Sequence, residues 1–193
     1  MLYVASLSRL CCFSDYNKGE KEMGKNKAKK KEKEERKVFT AGIITTSDGL
    51  ASGKEEDESG HLLDFMLKDR GFEIKYYIVI PDEIDRIQEA LVMLCDDLKV
   101  DLVLTTGGVG FRKRDITPEA TQGVLDKEVP GISEALRSYH LQYNSRTMLS
   151  RGVSGIRRNT LIINLPGDVK GVRSSFESII DTIYEGLEIM ATD

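Results

Sequence analysis

From Val38 onward the chain switches between two hydrophobic periodicities. Val38 to Thr46 (VFTAGIITT), Phe72 to Ile80, the stretch opening at Asp101 with Leu102 to Leu104, and Thr160 to Leu165 are short apolar runs, rich in β-branched residues. Runs of this kind predict strands buried on both faces. Between them the apolar residues recur at helical spacing. Leu62, Leu63, Met66 and Leu67 follow Ser59-Gly60 and lead to Gly71; Ile84, Ile87, Leu91, Leu94, Cys95 and Leu98 form a core-facing stripe after Asp82-Glu83. Thr117 is the expected N-cap of another helix, with Pro118 at its first position and Glu119 in its first turn. A break at Val129-Pro130-Gly131 precedes a helix over Ile132 to Leu141, and Val172, Phe176, Ile179, Ile180, Ile183 and Leu187 mark the last helix. Strands alternating with helices predict an α/β fold of three layers, α/β/α, around a parallel or mostly parallel sheet.

The first 36 residues break this pattern. They hold ten Lys and Arg against six Asp and Glu, near +4, whereas the whole chain of 193 residues carries a net charge of -4. Lys18 to Lys37 contains almost nothing apolar, so it cannot bury enough surface to offset its ordering entropy. The organisation expected is therefore a charged tail over 1–36, disordered or non-native, and one domain over 37–193. Glutamates interleaved among the lysines argue against a nucleic-acid arm. Met23 leads through a lysine-rich segment directly into the first strand, so a translation start there is as open as one at Met1. No apolar run reaches the roughly 20 residues needed to span a bilayer, so no membrane partner is expected. Cys11, Cys12 and Cys95 have no paired metal spacing, and His61 and His140 stand alone. A cytosolic protein without zinc fits these features.

In open sheets of this class, ligands bind outside the carboxyl ends of the strands. Four such ends carry polar or glycine-rich loops, at 47–60, 81–83, 107–117 and 164–170, and they form one site if they share one rim. Gly107, Gly108 and Gly110 let main-chain amides approach a bulky anion, although structural turns also use glycine. Arg112, Lys113, Arg114, Arg151, Arg157, Arg158 and Lys170 are the cations available to focus polyphosphate in an acidic domain. Asp82 and Asp115 are hard-oxygen groups that suit Mg²⁺; each also has a simpler reading, Asp82 as a helix cap and Asp115 as a turn cap. Neither a P-loop nor Gly-x-Gly-x-x-Gly is present, and no Ser-His-Asp set or activated cysteine is evident. The balance favours phosphoryl or nucleotidyl transfer over acyl transfer.

The segment Thr105 to Thr121 (TTGGVGFRKRDITPEAT) resembles the signature of the MogA/MoaB molybdenum cofactor biosynthesis family, which includes gephyrin G domains. Thr46-Ser47-Asp48, Ser59-Gly60, Pro81-Asp82-Glu83, Leu149-Ser150-Arg151, Gly155-Ile156-Arg157 and Leu161 to Gly167 support it in the same order. The resemblance implies a molybdopterin-binding fold, usually a homotrimer, and adenylylation of molybdopterin by Mg-ATP with release of pyrophosphate. It also implies that Asp82 and Asp115 are the two essential aspartates that place Mg²⁺ and nucleotide. Gly107, Gly108 and Gly110 would hold nucleotide or phosphate; Ser150, Asn164, Pro166, Gly167 and Lys170 would line the pterin side; Ser47, Asp48 and Ser59 would form the opposite wall. A molybdate-insertion protein is an implied partner. The alternative within the family is a non-catalytic molybdopterin-binding or scaffold protein of the MoaB type. Val109, Asp168 and Gly49 depart from the common pattern.

Overall fold

The computed structural model describes residues 38–192. Expectations that fall on residues 1–37, the charged tail and the alternative start at Met23, lie outside them. The elements are β1 (Thr40–Thr46), a helical turn α1 (Asp48–Ala51), α2 (Glu58–Asp69), β2 (Glu73–Ile80), α3 (Ile84–Val92), β3 (Leu102–Thr106), α4 (Thr117–Gln122), β4 (Lys127–Glu128), α5 (Pro130–Leu141), β5 (Ser154–Arg157), β6 (Thr160–Leu165) and α6 (Val169–Met190). A single six-stranded sheet runs β2-β1-β3-β6-β5-β4. Its first three pairings are parallel and the last two antiparallel. The sheet is thus mostly parallel, as expected, with β4 and β5 as an antiparallel edge that the glycine- and arginine-rich sequence around 150–158 did not announce.

The period of two along each strand divides the core between two faces. Ile43, Leu102, Leu104, Leu161 and Ile163 pack with Leu63 and Leu67 of α2 and with Phe176, Ile180 and Ile183 of α6. Their neighbours Ile44, Val103 and Ile162 pack on the other face with Ile87 and Leu91 of α3 and Ala120 of α4. That alternation makes the three layers. The chain runs from β1 to β2 on one side of β1 and then crosses to β3 on its other side. The β1/β3 boundary is the topological switch point, where the loops leaving the two strands diverge and open a crevice.

Three local expectations change. The stripe of the third helix does not stay helical to Leu98: Met93–Asp97 form a π-turn, in which the Leu98 amide donates to the Met93 carbonyl at 3.0 Å. The extra residue in the turn rotates the chain beyond it, so Leu98 is 45% exposed while Leu94 and Cys95 stay in the core. Ile84, in the first turn, is exposed as well. Thr117 is not an N-cap: it is the first helical residue, after Ile116, and its buried hydroxyl shares a 3.0 Å hydrogen bond with that of Thr46. Asp82 does not cap α3 either, because Glu83 holds the N-cap position and makes no side-chain cap bond.

Leu94 ties the π-turn to β1: a Cβ placed on Gly42 would come within 2.7 Å of its Cδ2. Leu94→Ala is expected to destabilise the domain by about 2–5 kcal/mol, read as a lower denaturant midpoint with an unchanged slope.

Candidate active site at the strand switch point

The four loops meet on one rim. Ser47 N donates to the Ile80 carbonyl at 3.0 Å, the Thr106 hydroxyl donates to the Pro166 carbonyl at 2.7 Å, and Gly107 N donates to Leu165 O at 3.3 Å. Approach is tightest at the glycines. Gly107 and Gly108 take φ of +100° and +62°; a Cβ on Gly107 would sit 2.4 Å from the Thr46 carbonyl oxygen, and one on Gly108 2.3 Å from the Thr117 hydroxyl. At Gly110 the constraint is milder: a Cβ there would press to 2.7 Å from Asp115 Oδ2 and displace that carboxylate.

Around this turn lie three carboxylates and one well-placed guanidinium. Asp82 N donates to Asp48 Oδ1 at 3.2 Å, and Asp48 N donates to Asp82 Oδ2 at 3.1 Å. Arg114 grips Asp48 in a fork, Nη2 to Oδ1 at 2.6 Å and Nε to Oδ2 at 2.9 Å. That fork holds the Asp48 carboxyl below its ordinary range. Burial pushes Asp82 the other way, reinforced by the charges of Asp48 and Asp115 against the opposing Asp48 amide and Arg114. Asp82 Oδ1 is buried without a hydrogen-bond partner, 3.2 Å from where a Cβ on Gly108 would stand. Asp115 is half-buried and turns back on its own loop, accepting the Arg112 amide through Oδ2 at 2.7 Å.

Among the described residues no three His, Cys, Asp or Glu side chains converge into a metal cage. The donor set still fits Mg²⁺, which is commonly held by one or two carboxylates with water and substrate phosphates completing its shell. The unpartnered, buried Asp82 Oδ1 is the oxygen that such an ion would satisfy.

On the other side of the glycine turn opens a cleft of about 480 Å³, bordered by Val109, Ser150, Pro166 and Lys170. His140, Tyr143, Arg146 and Thr147 complete it, from the end of α5 and the 3₁₀ turn Ser145–Leu149 after it. Sequence reasoning passed over Tyr143, Arg146 and Thr147 and set His140 aside as a lone histidine. His140 stands alone along the chain, yet its Nε2 lies 2.9 Å from Ser175 Oγ, and burial holds its pKa below the usual value, with Asp168 pulling upward. The signal that could have found them is the polar turn after α5 leading straight into Ser150.

Several predicted site residues serve the fold at this rim. Asn164 is 3% exposed: its Nδ2 donates to the hydroxyls of Thr105 at 2.9 Å and Thr121 at 3.0 Å, and its Oδ1 accepts Val153 N at 3.2 Å. Ser59 is buried and donates to Asp57 Oδ1, which also accepts Gly60 N and so caps α2. Burial pushes the Asp57 carboxyl up, but the Tyr77 hydroxyl, donating to its Oδ2 at 2.6 Å, the Gly60 amide and the Ser59 hydroxyl outweigh it and keep its pKa low, while the buried Thr45 hydroxyl close by has no hydrogen-bond partner among the described residues. Ser47 caps α1, and Asp168 caps α6. Gly167 backs onto Gly107: a Cβ on it would be 3.1 Å from the Gly107 Cα. Asp48 stands with Asp82.

Two of the seven expected focusing cations are elsewhere. Arg157 and Thr160 pair where β5 meets the start of β6, at the opposite end of the sheet. There Arg157 forks Asp96 at 2.6 and 3.1 Å and donates to Val124 O at 2.9 Å, while Arg158 joins Asp96 at 2.9 Å. They hold the β5 edge to the π-turn.

A glycine turn at a switch point, carboxylates beside it and a cleft bordered by Arg146 and Lys170 mark an α/β protein whose rim has the chemistry that suits a phosphorylated ligand. Residues 42–185 match the family described as "Probable molybdopterin binding domain", and the chain belongs to that family. It is 42% identical over 147 residues to the molybdopterin adenylyltransferase of Helicobacter pylori, an alignment covering 74% of this chain and 82% of that protein. Against gephyrin of Dictyostelium discoideum the identity is 36% over 181 residues, 89% of this chain and 24% of that one. The solved structure of MoaB from Thermus thermophilus superposes with a TM-score of 0.76 at 39% identity, covering 81% of this chain and 98% of that one.

The placement of these side chains sets two expected outcomes. Asn164→Ala strands the Val153 amide and the buried threonine hydroxyls and is expected to cost roughly 2–3 kcal/mol, measured by equilibrium unfolding. For Asp82, a carboxyl raised by folding contributes stability that is full below the ordinary carboxylate range and lost as pH rises through the raised value. Asp82→Asn is therefore expected to raise the thermal midpoint of the metal-free protein at pH 7, and a lower midpoint would contradict the repulsion among these carboxylates.

Proposed function

We propose that the chain transfers AMP from Mg-ATP to the terminal phosphate of molybdopterin, giving adenylyl-molybdopterin and pyrophosphate. The observation that carries this reading is Asp82, half-buried with an unpartnered oxygen, beside Asp115 and a glycine turn that adjoins the 480 Å³ cleft. Relatives that bear the adenylyltransferase name align over most of their own length and support it.

In this reading the pterin lies in the cleft by Ser150, Pro166 and Lys170, with Arg146 and Lys170 drawing its phosphate. ATP lies over Gly107 to Gly110, whose main chain admits phosphate where a side chain would clash. A terminal phosphate oxygen of the pterin attacks the α-phosphorus, and the bond to the pyrophosphate oxygen breaks. Mg²⁺, when bound, neutralises charge on the nucleotide phosphates and polarises the reacting phosphorus. Asp82 and Asp115 would hold that ion, and Arg114 keeps Asp48 from repelling the incoming phosphates. The chain supplies position and charge and needs no covalent nucleophile. A homotrimer, a cytosolic location and hand-over to a molybdate-insertion protein accompany this proposal.

The purified protein is to be mixed with molybdopterin, ATP and Mg²⁺ and adenylyl-molybdopterin followed with time. Tight pterin binding without product would replace the enzyme with a non-catalytic binding protein. Asp115→Asn is expected to lower kcat by about 10²–10³-fold and leave the pterin Kd within twofold; retained turnover would remove Asp115 from the metal role.

A further inference from the structure

The loop that carries Asp115 has little of its own to hold it. From Phe111 to Arg114 every residue is exposed, and the internal bonds are those between Arg112 and Asp115. Arg114 pins its tip to Asp48 through an exposed fork, and the half-buried tie to both of its ends comes from a residue 36 positions later in the chain. Arg151 Nε donates to Gly110 O at 2.7 Å, its Nη2 donates to the Asp115 carbonyl, and its Nη1 meets the Glu119 carboxylate in the first turn of α4. Its own amide donates to Val109 O at 2.8 Å. One planar side chain thus spans the start of the loop, its end and the helix beyond.

Arg151 is itself firmly seated. Ser150, its neighbour, borders the cleft; Arg137 Nη1 donates to Gly152 O at 2.9 Å, and Val153 N is held by Asn164. The segment 150–153 therefore lies between the cleft and the carboxylate loop and is fastened to both.

We propose that Arg151 is a positioning residue that fixes Asp115 relative to the cleft, so that the pterin-side and nucleotide-side walls keep one spacing. The catalytic consequence rests on the adenylyl-transfer reading; the mechanical part does not. The two main-chain acceptors carry the role, because the Glu119 pair is half-exposed and screened. A lysine cannot replace the fork, since an ammonium is a point charge that cannot reach three separated acceptors at once.

The test compares Arg151→Lys, Arg151→Met and Glu119→Gln by amide hydrogen exchange, pterin binding and steady-state kinetics. In both Arg151 variants the Arg112 and Asp115 amides are expected to exchange at least about tenfold faster, as loss of a local tie lowers protection. Their kcat should fall about 10–100-fold for a small displacement of a reacting group, with the pterin Kd within twofold. Glu119→Gln should change kcat less than about twofold. Unchanged exchange in Arg151→Lys overturns the proposal, and so does wild-type kcat in that variant, which would mean that charge alone suffices. A pterin Kd that weakens in step with kcat, with a lower unfolding midpoint, would make Arg151 a general structural residue. Should the wild-type protein make no adenylyl-molybdopterin while the exchange result holds, the functional reading fails and the clamp stands; if Arg151→Met does not fold, Arg151→Lys decides the question.

Discussion

Everything at the working rim depends on how closely the main chains at the ends of β1, β3 and β6 approach one another. Parallel pairing sets those three ends side by side, and threonine hydroxyls close the remaining gaps, Thr46 to Thr117 and Thr106 to the Pro166 carbonyl. No side chain fits where Gly107 passes the Thr46 carbonyl. The glycines thus serve the packing of the rim and the access of an anion at once. The first role is what makes the second rigid, because a turn wedged between two strands does not need to reorganise when phosphate arrives.

That rim stores unfavourable electrostatics. Asp82 is kept partly from water next to two other carboxylates, which raises its pKa and leaves one oxygen unpartnered. The fold tolerates this through Arg114, which forks Asp48 and whose charge favours the ionised Asp82. The buried carboxylate Asp57 shows the contrast. Bonded by the Ser59 and Tyr77 hydroxyls and the Gly60 amide, it holds β2 and α2 together.

The arginines divide along the same line. Arg114 and Arg151 face the rim and contact the elements that carry its carboxylates, whereas Arg157 and Arg158 are spent on Asp96 at the far end of the sheet. All four sit in motif-like surroundings, and only their partners in space distinguish them. Charge focusing at the site therefore falls to fewer cations than the composition offers, with Arg146 added from the turn after α5.

The sequence by itself determined the layers and the rim. Apolar runs covered on both faces require a sheet between helices, and the carboxyl ends of such strands are where loops are free to carry chemistry. Asp82, Asp115 and the glycines were legible because their residue types are unusual at strand ends and succeed one another in a known order. Their partners were not legible. Whether Thr117 caps a helix or pairs with Thr46, and whether Asn164 faces a ligand or braces β3 against α4, depends on residues 71 and 43 positions away. The π-turn that exposes Leu98 has no local signature, and the four cleft residues from His140 to Thr147 gain meaning only once α5 is laid against α6. Hydrophobic periodicity is a local property of the chain, whereas the hydrogen-bond partner of a buried polar group is chosen by the tertiary structure, because burial leaves that group few alternatives.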